Sequence, residues 1–143
     1  MNKSICVFIL LCFTSAVHGA QCAKTDLAGK KWHIYSSNSA ALYCLVTVAK
    51  SNNKVSGFCK SSTDFDQGTE VAITGGKLSV NKSCSITGSI KMAAEGVSQI
   101  FGSEDTVIKM VKSKMPGSKK AFHGLFSING PSFSRSSFSA VLN

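Results

Sequence analysis

The sequence predicts an all-β fold: an antiparallel meander of about eight to ten strands forming a small up-and-down barrel, with a β-sandwich as the alternative. Two observations predict it. Apolar and polar residues alternate with period two through most of the chain, as in strands that bury one face. A pattern of apolar-x-Gly-x-apolar occurs at Val55-Ser56-Gly57-Phe58-Cys59, Ile86-Thr87-Gly88-Ser89-Ile90 and Phe122-His123-Gly124-Leu125-Phe126, with the glycines 31 and 36 residues apart. Each copy reads as the second arm of a strand-turn-strand unit. A mid-strand glycine lets a strand coil sharply, which a small closed barrel requires.

In chain order, Met1 to Gly19 comes first. It carries Lys3, an apolar run from Ile5 to Phe13 and a small-residue end at Ala16-Val17-His18-Gly19. This predicts a Sec-type signal peptide, with 20–143 as a single disulfide-containing β domain. The apolar run is shorter than the ~18 residues needed to span a bilayer, and no later segment approaches that length, so no transmembrane segment is expected. Cleavage removes Cys6 and Cys12 and leaves Cys22, Cys44, Cys59 and Cys84. In an exported domain, periplasmic or extracellular, four cysteines indicate two disulfides, for which there are three connectivities. Cys44 with Cys59 and Cys22 with Cys84 is the preferred one.

Ala28 to Ser36 is expected as the first strand, with Trp32 and Ile34 on one face and His33 and Tyr35 on the other. Trp32 reads as a barrel-floor plug. Leu42 to Lys60 reads as a hairpin around Ser51-Asn52-Asn53, with Leu45 and Phe58 as breaks in its alternation. Pairing Val48 with Val55 sets Cys44 opposite Cys59, within disulfide reach. A turn centred on Asn52-Asn53 would instead set Val46 opposite Cys59, so the register stays open. Lys60 to Gly68 is a loop. Glu70 to Thr74 alternates into Gly75-Gly76, a tight-turn signal, before Lys77 to Val80 resumes and Cys84 to Met92 continues in phase.

Residues 93 to 114 carry two signals. Ser103-Glu104-Asp105, with Lys112 and Lys114 ahead of Pro116-Gly117, fits a capped helix. Thr106 to Lys112 is equally β-capable. The internal repeat favours a strand before Phe122 and leaves room for a short helix within 93–105. Ile128-Asn129-Gly130-Pro131 is a turn, and a last strand contains Phe133, Arg135, Phe138 and Val141.

A Gly29-Lys30-Lys31-Trp32 start, followed by an antiparallel meander with glycines in alternate strands, resembles the calycin type of barrel, the lipocalin and avidin-like proteins. The resemblance covers roughly Leu27 to Leu142 and implies an up-and-down barrel. It transfers no ligand and no binding residue. The lipocalin signature has one residue between Gly and Trp, where this chain has Lys30 and Lys31. Avidin-like proteins enclose biotin with several tryptophans, and this chain has only Trp32.

Charge is the strongest functional hint. Without Lys3, 15 Lys and Arg stand against 7 Asp and Glu, a formal charge of +8. Such a surface favours polyanions: anionic lipid head groups, acidic glycans, lipopolysaccharide or nucleic acid. The densest run, Lys109, Lys112, Lys114, Lys119 and Lys120, contains no acid and is the expected basic patch around the Met115-Pro116-Gly117-Ser118 tip. Lysines also keep an exported hairpin soluble and discourage edge pairing. Nucleic acid is disfavoured, because stacking aromatics are not interleaved with these lysines.

No nucleophile elbow, zincin motif or phosphate loop is present. No Cys-x-x-Cys or paired His accompanies the cysteines, so no metal and no cofactor is expected. His33 and His123 sit in strand patterns, where a dispersed Ser-His-Asp set is the remote catalytic option. The sequence therefore predicts no enzyme. It predicts a secreted binding protein for a small or anionic ligand, with an exported effector or inhibitor acting on another protein as the alternative.

Overall fold

The computed structural model describes residues 21–36, 42–61, 70–93, 106–129 and 134–143. The signal-peptide segment and the region of the expected short helix, apart from Ala93, fall outside these. Eight strands form a closed antiparallel barrel in sequential order: β1 (Lys31–Ser36), β2 (Leu42–Val48), β3 (Val55–Ser61), β4 (Val71–Val80), β5 (Ser85–Met92), β6 (Val107–Lys114), β7 (Ala121–Asn129) and β8 (Ser134–Leu142), with β8 returning to pair with β1. The up-and-down barrel holds. The sandwich does not form, and closure leaves no sheet edge among these strands.

Alternation sets the inside and the outside. On β2, Leu42, Cys44, Val46 and Val48 are buried and the residues between them are only partly covered. Val48 pairs with Val55 and Cys44 with Cys59, and the second pair is a disulfide. That settles the register left open above. Leu45 and Phe58, the two breaks in alternation, lie opposite each other on the outer face.

The floor is built before β1 begins. A 3₁₀ turn at Lys24–Asp26 leads into Leu27 and Ala28, both buried, and Trp32 beneath them is fully buried with its indole Nε1 donating to the Leu27 carbonyl at 3.3 Å. A buried Trp needs such a partner for its one polar atom. Phe122 meets Trp32 edge-on at 4.9 Å, and Phe138 bridges Phe122 and Phe126 at 5.8 and 5.9 Å. Each of these side chains contributes about 1.5–3 kcal/mol by leaving water, and together they fill the lower barrel with rings. The Cys22–Cys84 disulfide pins the N-terminal segment to the β4–β5 turn, and Cys22 N–H donates to the Lys82 carbonyl at 3.2 Å.

At the repeated glycines the backbone of the paired strand leaves no room for a Cβ. Gly57 and Gly88 have φ of +131° and +129°, and a Cβ on either would collide with the facing carbonyl, that of Leu45 or of Lys77. Only glycine fits there. The Gly75-Gly76 turn expected from sequence is not made: β4 runs without a break from Val71 to Val80, and the pair sits at a register shift in the β4–β5 ladder. A local two-glycine signal there serves a bulge that bends the strand. The reversal comes later, at Asn81 to Cys84, where the Asn81 side chain accepts from Ser85 N–H at 2.9 Å and from the Ser83 hydroxyl at 2.7 Å.

Candidate anion-binding face

Outward side chains of neighbouring strands fall into rows, because register fixes which residues lie side by side. One row crosses four strands. Lys54 bridges to Lys77, Lys77 pairs with Ser89, Ser89 with Lys109 and Lys109 with Ser127. Strands lie ~4.8 Å apart, so Lys77 and Lys109, two strands apart, stand about 10 Å from each other at the backbone. Lys91 extends the basic wall toward the end of the barrel remote from Trp32, opposite Gly75 on one side and Val107 on the other.

Every lysine of the sequence except Lys3 lies among the described residues, whereas of the acids only Asp26 and Glu70 do. Asp26 is already engaged. Its carboxylate accepts from Lys119 Nζ at 2.9 Å and from Ala23 N–H at 2.7 Å, and these contacts, the Lys119 hydrogen bond foremost, hold its pKa below the ordinary value. The lysines of β4, β5 and β6 have no carboxylate partner among the described residues. The remaining acids, Asp64, Asp66, Glu95, Glu104 and Asp105, lie outside the described residues.

Three grooves open on this wall. The first, of about 470 Å³, is lined by Lys54, Val55, Thr74, Gly75, Gly76, Lys77, Gly88, Ser89 and Lys91. A second, of about 370 Å³, shares Thr74 and Lys91 with it and continues to Met92, Thr106 and Val107. The third, of about 450 Å³, lies between β5 and β6 beside Ile86, Val111, Lys112 and Lys114. At the end of the barrel remote from Trp32, Thr106 is 1% exposed and its Oγ1 has no hydrogen-bond partner among the described residues; Ser36 Oγ likewise has none. An unmatched buried hydroxyl costs about 1–3 kcal/mol.

The basic run expected from sequence is brought onto the β6–β7 hairpin, but not as one cluster at its tip. Lys112 and Lys114 line the third groove, and Lys109 stands farther up β6 in the lysine row. Lys119 is tied to Asp26 and closes the floor, while Lys120 stands beside it at the turn. Sequence reading missed Lys54, Lys77 and Lys91, which are far apart in the chain. The one available signal was their phase: Lys77, Ser89 and Lys91 all occupy positions out of step with buried Leu78, Ile90 and Met92.

The opposite outer face has a different chemistry. His33, Tyr35, Tyr43 and Phe58 form a continuous ring cluster, with successive centroids at 6.3 Å for His33–Tyr35, 5.3 Å for Tyr35–Tyr43 and 6.2 Å for Tyr43–Phe58. His33 Nδ1 hydrogen-bonds the Tyr43 hydroxyl and Nε2 the Asn143 side-chain oxygen, both at 2.9 Å. These two contacts orient the ring. Partial burial pushes the Tyr43 phenol pKa up, with Tyr35 and Glu70 adding to the shift. Lys60 Nζ lies 5.9 Å from the Tyr43 ring centroid, and Tyr35 and Val141 remain 44% and 48% exposed. No protein-family model, curated protein or solved structure matches this chain.

Proposed function

We propose that the protein is an exported, non-enzymatic binding protein that holds an anionic ligand, a lipid head group, glycan or other polyanion, on the basic wall of a calycin-like barrel. The row Lys54–Lys77–Ser89–Lys109 carries this reading, because it concentrates positive charge on one face with no described acid beside it. Trp32, Phe122, Phe126 and Phe138 pack the lower barrel with rings, which favours a ligand held on the outside. Export fits the two disulfides, which persist in oxidising compartments. No helix among the described residues is long and apolar enough to cross a membrane.

Retention on immobilised heparin and on phosphatidylserine vesicles, measured across a salt series, tests the proposal. Binding at low salt that weakens steeply as salt rises supports it, since screening acts on exposed charges within about 10 Å at 0.1 M. Failure to bind any polyanion at low salt contradicts it. A second reading, a protein partner held on the aromatic face, draws on Tyr35 and Val141; tyrosine is enriched in interface cores. A saturable protein complex lost in Tyr35→Ala would favour that reading.

A further inference from the structure

We infer that the two adjoining grooves from Lys54 past Lys91 to Thr106 form a subsite for an acidic oligosaccharide, a chain carrying sulfate or carboxylate groups among neutral hydroxyls. This inference rests on the polyanion reading and names the ligand class and its place. The first two grooves share Thr74 and Lys91 in their linings and so adjoin, and a ligand lying along the outside of β4 and β5 across both meets Lys54 and Lys77, then Lys91, then Thr106.

Its lining matches sugar chemistry in three ways. Lys54, Lys77 and Lys91 supply separated cations for separated anionic groups. Thr74 and Ser89 supply hydroxyls, and the lack of a side chain at Gly75 leaves room against the backbone; a Cβ there would find only Lys91 Cδ, at 4.0 Å. Thr106 lines the far part with a buried hydroxyl that has no partner among the described residues, and a sugar hydroxyl both donates to and accepts from such a group. The other polyanion classes fit less well. Among the described residues no aromatic side chain lines either groove, so nucleobases find no stacking partner there. A concave channel is also mismatched to a planar lipid surface.

The test uses a heparin-derived hexasaccharide, with a single-stranded oligothymidine and phosphatidylserine vesicles as competing probes, on the disulfide-bonded protein. Gly75→Val fills the groove without changing charge, and Thr106→Val removes the buried hydroxyl at constant shape. The expected result is hexasaccharide affinity about fivefold weaker in the first and about threefold weaker in the second. Thr106→Val should not lower the melting temperature, and residual binding to the other probes should be unchanged in both. Where Gly75→Val does not fold, Lys91→Gln serves in its place, with the same direction expected. Folded variants that bind the hexasaccharide like wild type overturn the groove and leave the polyanion reading standing. A Gly75→Val loss confined to oligothymidine or vesicles overturns the glycan assignment. Absence of all polyanion binding by wild type removes both.

Discussion

The two outer faces of this barrel use the same pleated backbone for opposite purposes. On the β1–β3 side, outward residues contact one another: His33, Tyr35, Tyr43 and Phe58 share ring contacts, and two hydrogen bonds fix His33. On the β4–β6 side, outward residues are mostly lysine, serine, threonine and glycine, with Ala72 and Val111 among them, and the lysines have no partner among the described acids. The first face stabilises the fold. The second contributes little to stability and stores electrostatic potential that a ligand could use. Each face also has its own staple, Cys44–Cys59 within β2 and β3, and Cys22–Cys84 joining the floor to the β4–β5 turn.

The staples give the largest expected difference. The sequence separations are 62 for Cys22–Cys84 and 15 for Cys44–Cys59. The chain-entropy relation puts removal of the longer link at about 4 kcal/mol and of the shorter at about 3 kcal/mol. Denaturant unfolding of the paired Cys22→Ser/Cys84→Ser and Cys44→Ser/Cys59→Ser variants checks that order; the reverse order would mean that the floor segment is held mainly by packing around Leu27 and Trp32.

Next comes the ring cluster. Tyr43→Ala should cost about 2 kcal/mol, through lost ring packing and a broken bond to His33, whereas Lys77→Ala should stay within about 0.5 kcal/mol. Equal costs in chemical denaturation would erase the distinction between a stabilising face and a binding face.

The smallest effect concerns pH. Asp26 has a folded pKa below the ordinary 3.8. On acidification the unfolded chain therefore takes up this proton first, and the stability that Asp26 contributes, complete above that value, is lost as pH falls through its folded pKa. Asp26→Asn should flatten the acid limb of the stability curve. The lysine row, with no described carboxylate partner, should leave that limb unchanged when Lys77 or Lys109 is replaced.

Local pattern was enough for much of this molecule. Alternation put Trp32 with Ile34 on one face and Cys44 with Val46 and Val48 on another, whereas the choice between the Val48–Val55 pairing and its one-step alternative came only with the strands in place. Gly75-Gly76 misled because a glycine pair signals both a turn and a bulge. Only the paired strand, β5, distinguishes the two. Leu45 and Phe58 looked like errors in alternation until register placed them together. The lysine row was illegible for the same reason: Lys54, Lys77 and Lys109 become neighbours through the accumulated registers of the hairpins between them, and a one-residue slip in any would move a lysine to the other face.

The central claim is that ligand contact belongs to the lysine face. Amide chemical-shift mapping of the disulfide-bonded protein, titrated with the heparin-derived hexasaccharide at low salt, tests it most directly. The account predicts the largest shifts at Lys77, Ser89, Lys91 and Thr106, with His33, Tyr35 and Tyr43 nearly unmoved. Shifts centred on Tyr35, Tyr43 and Phe58, with the lysine face silent, would contradict it.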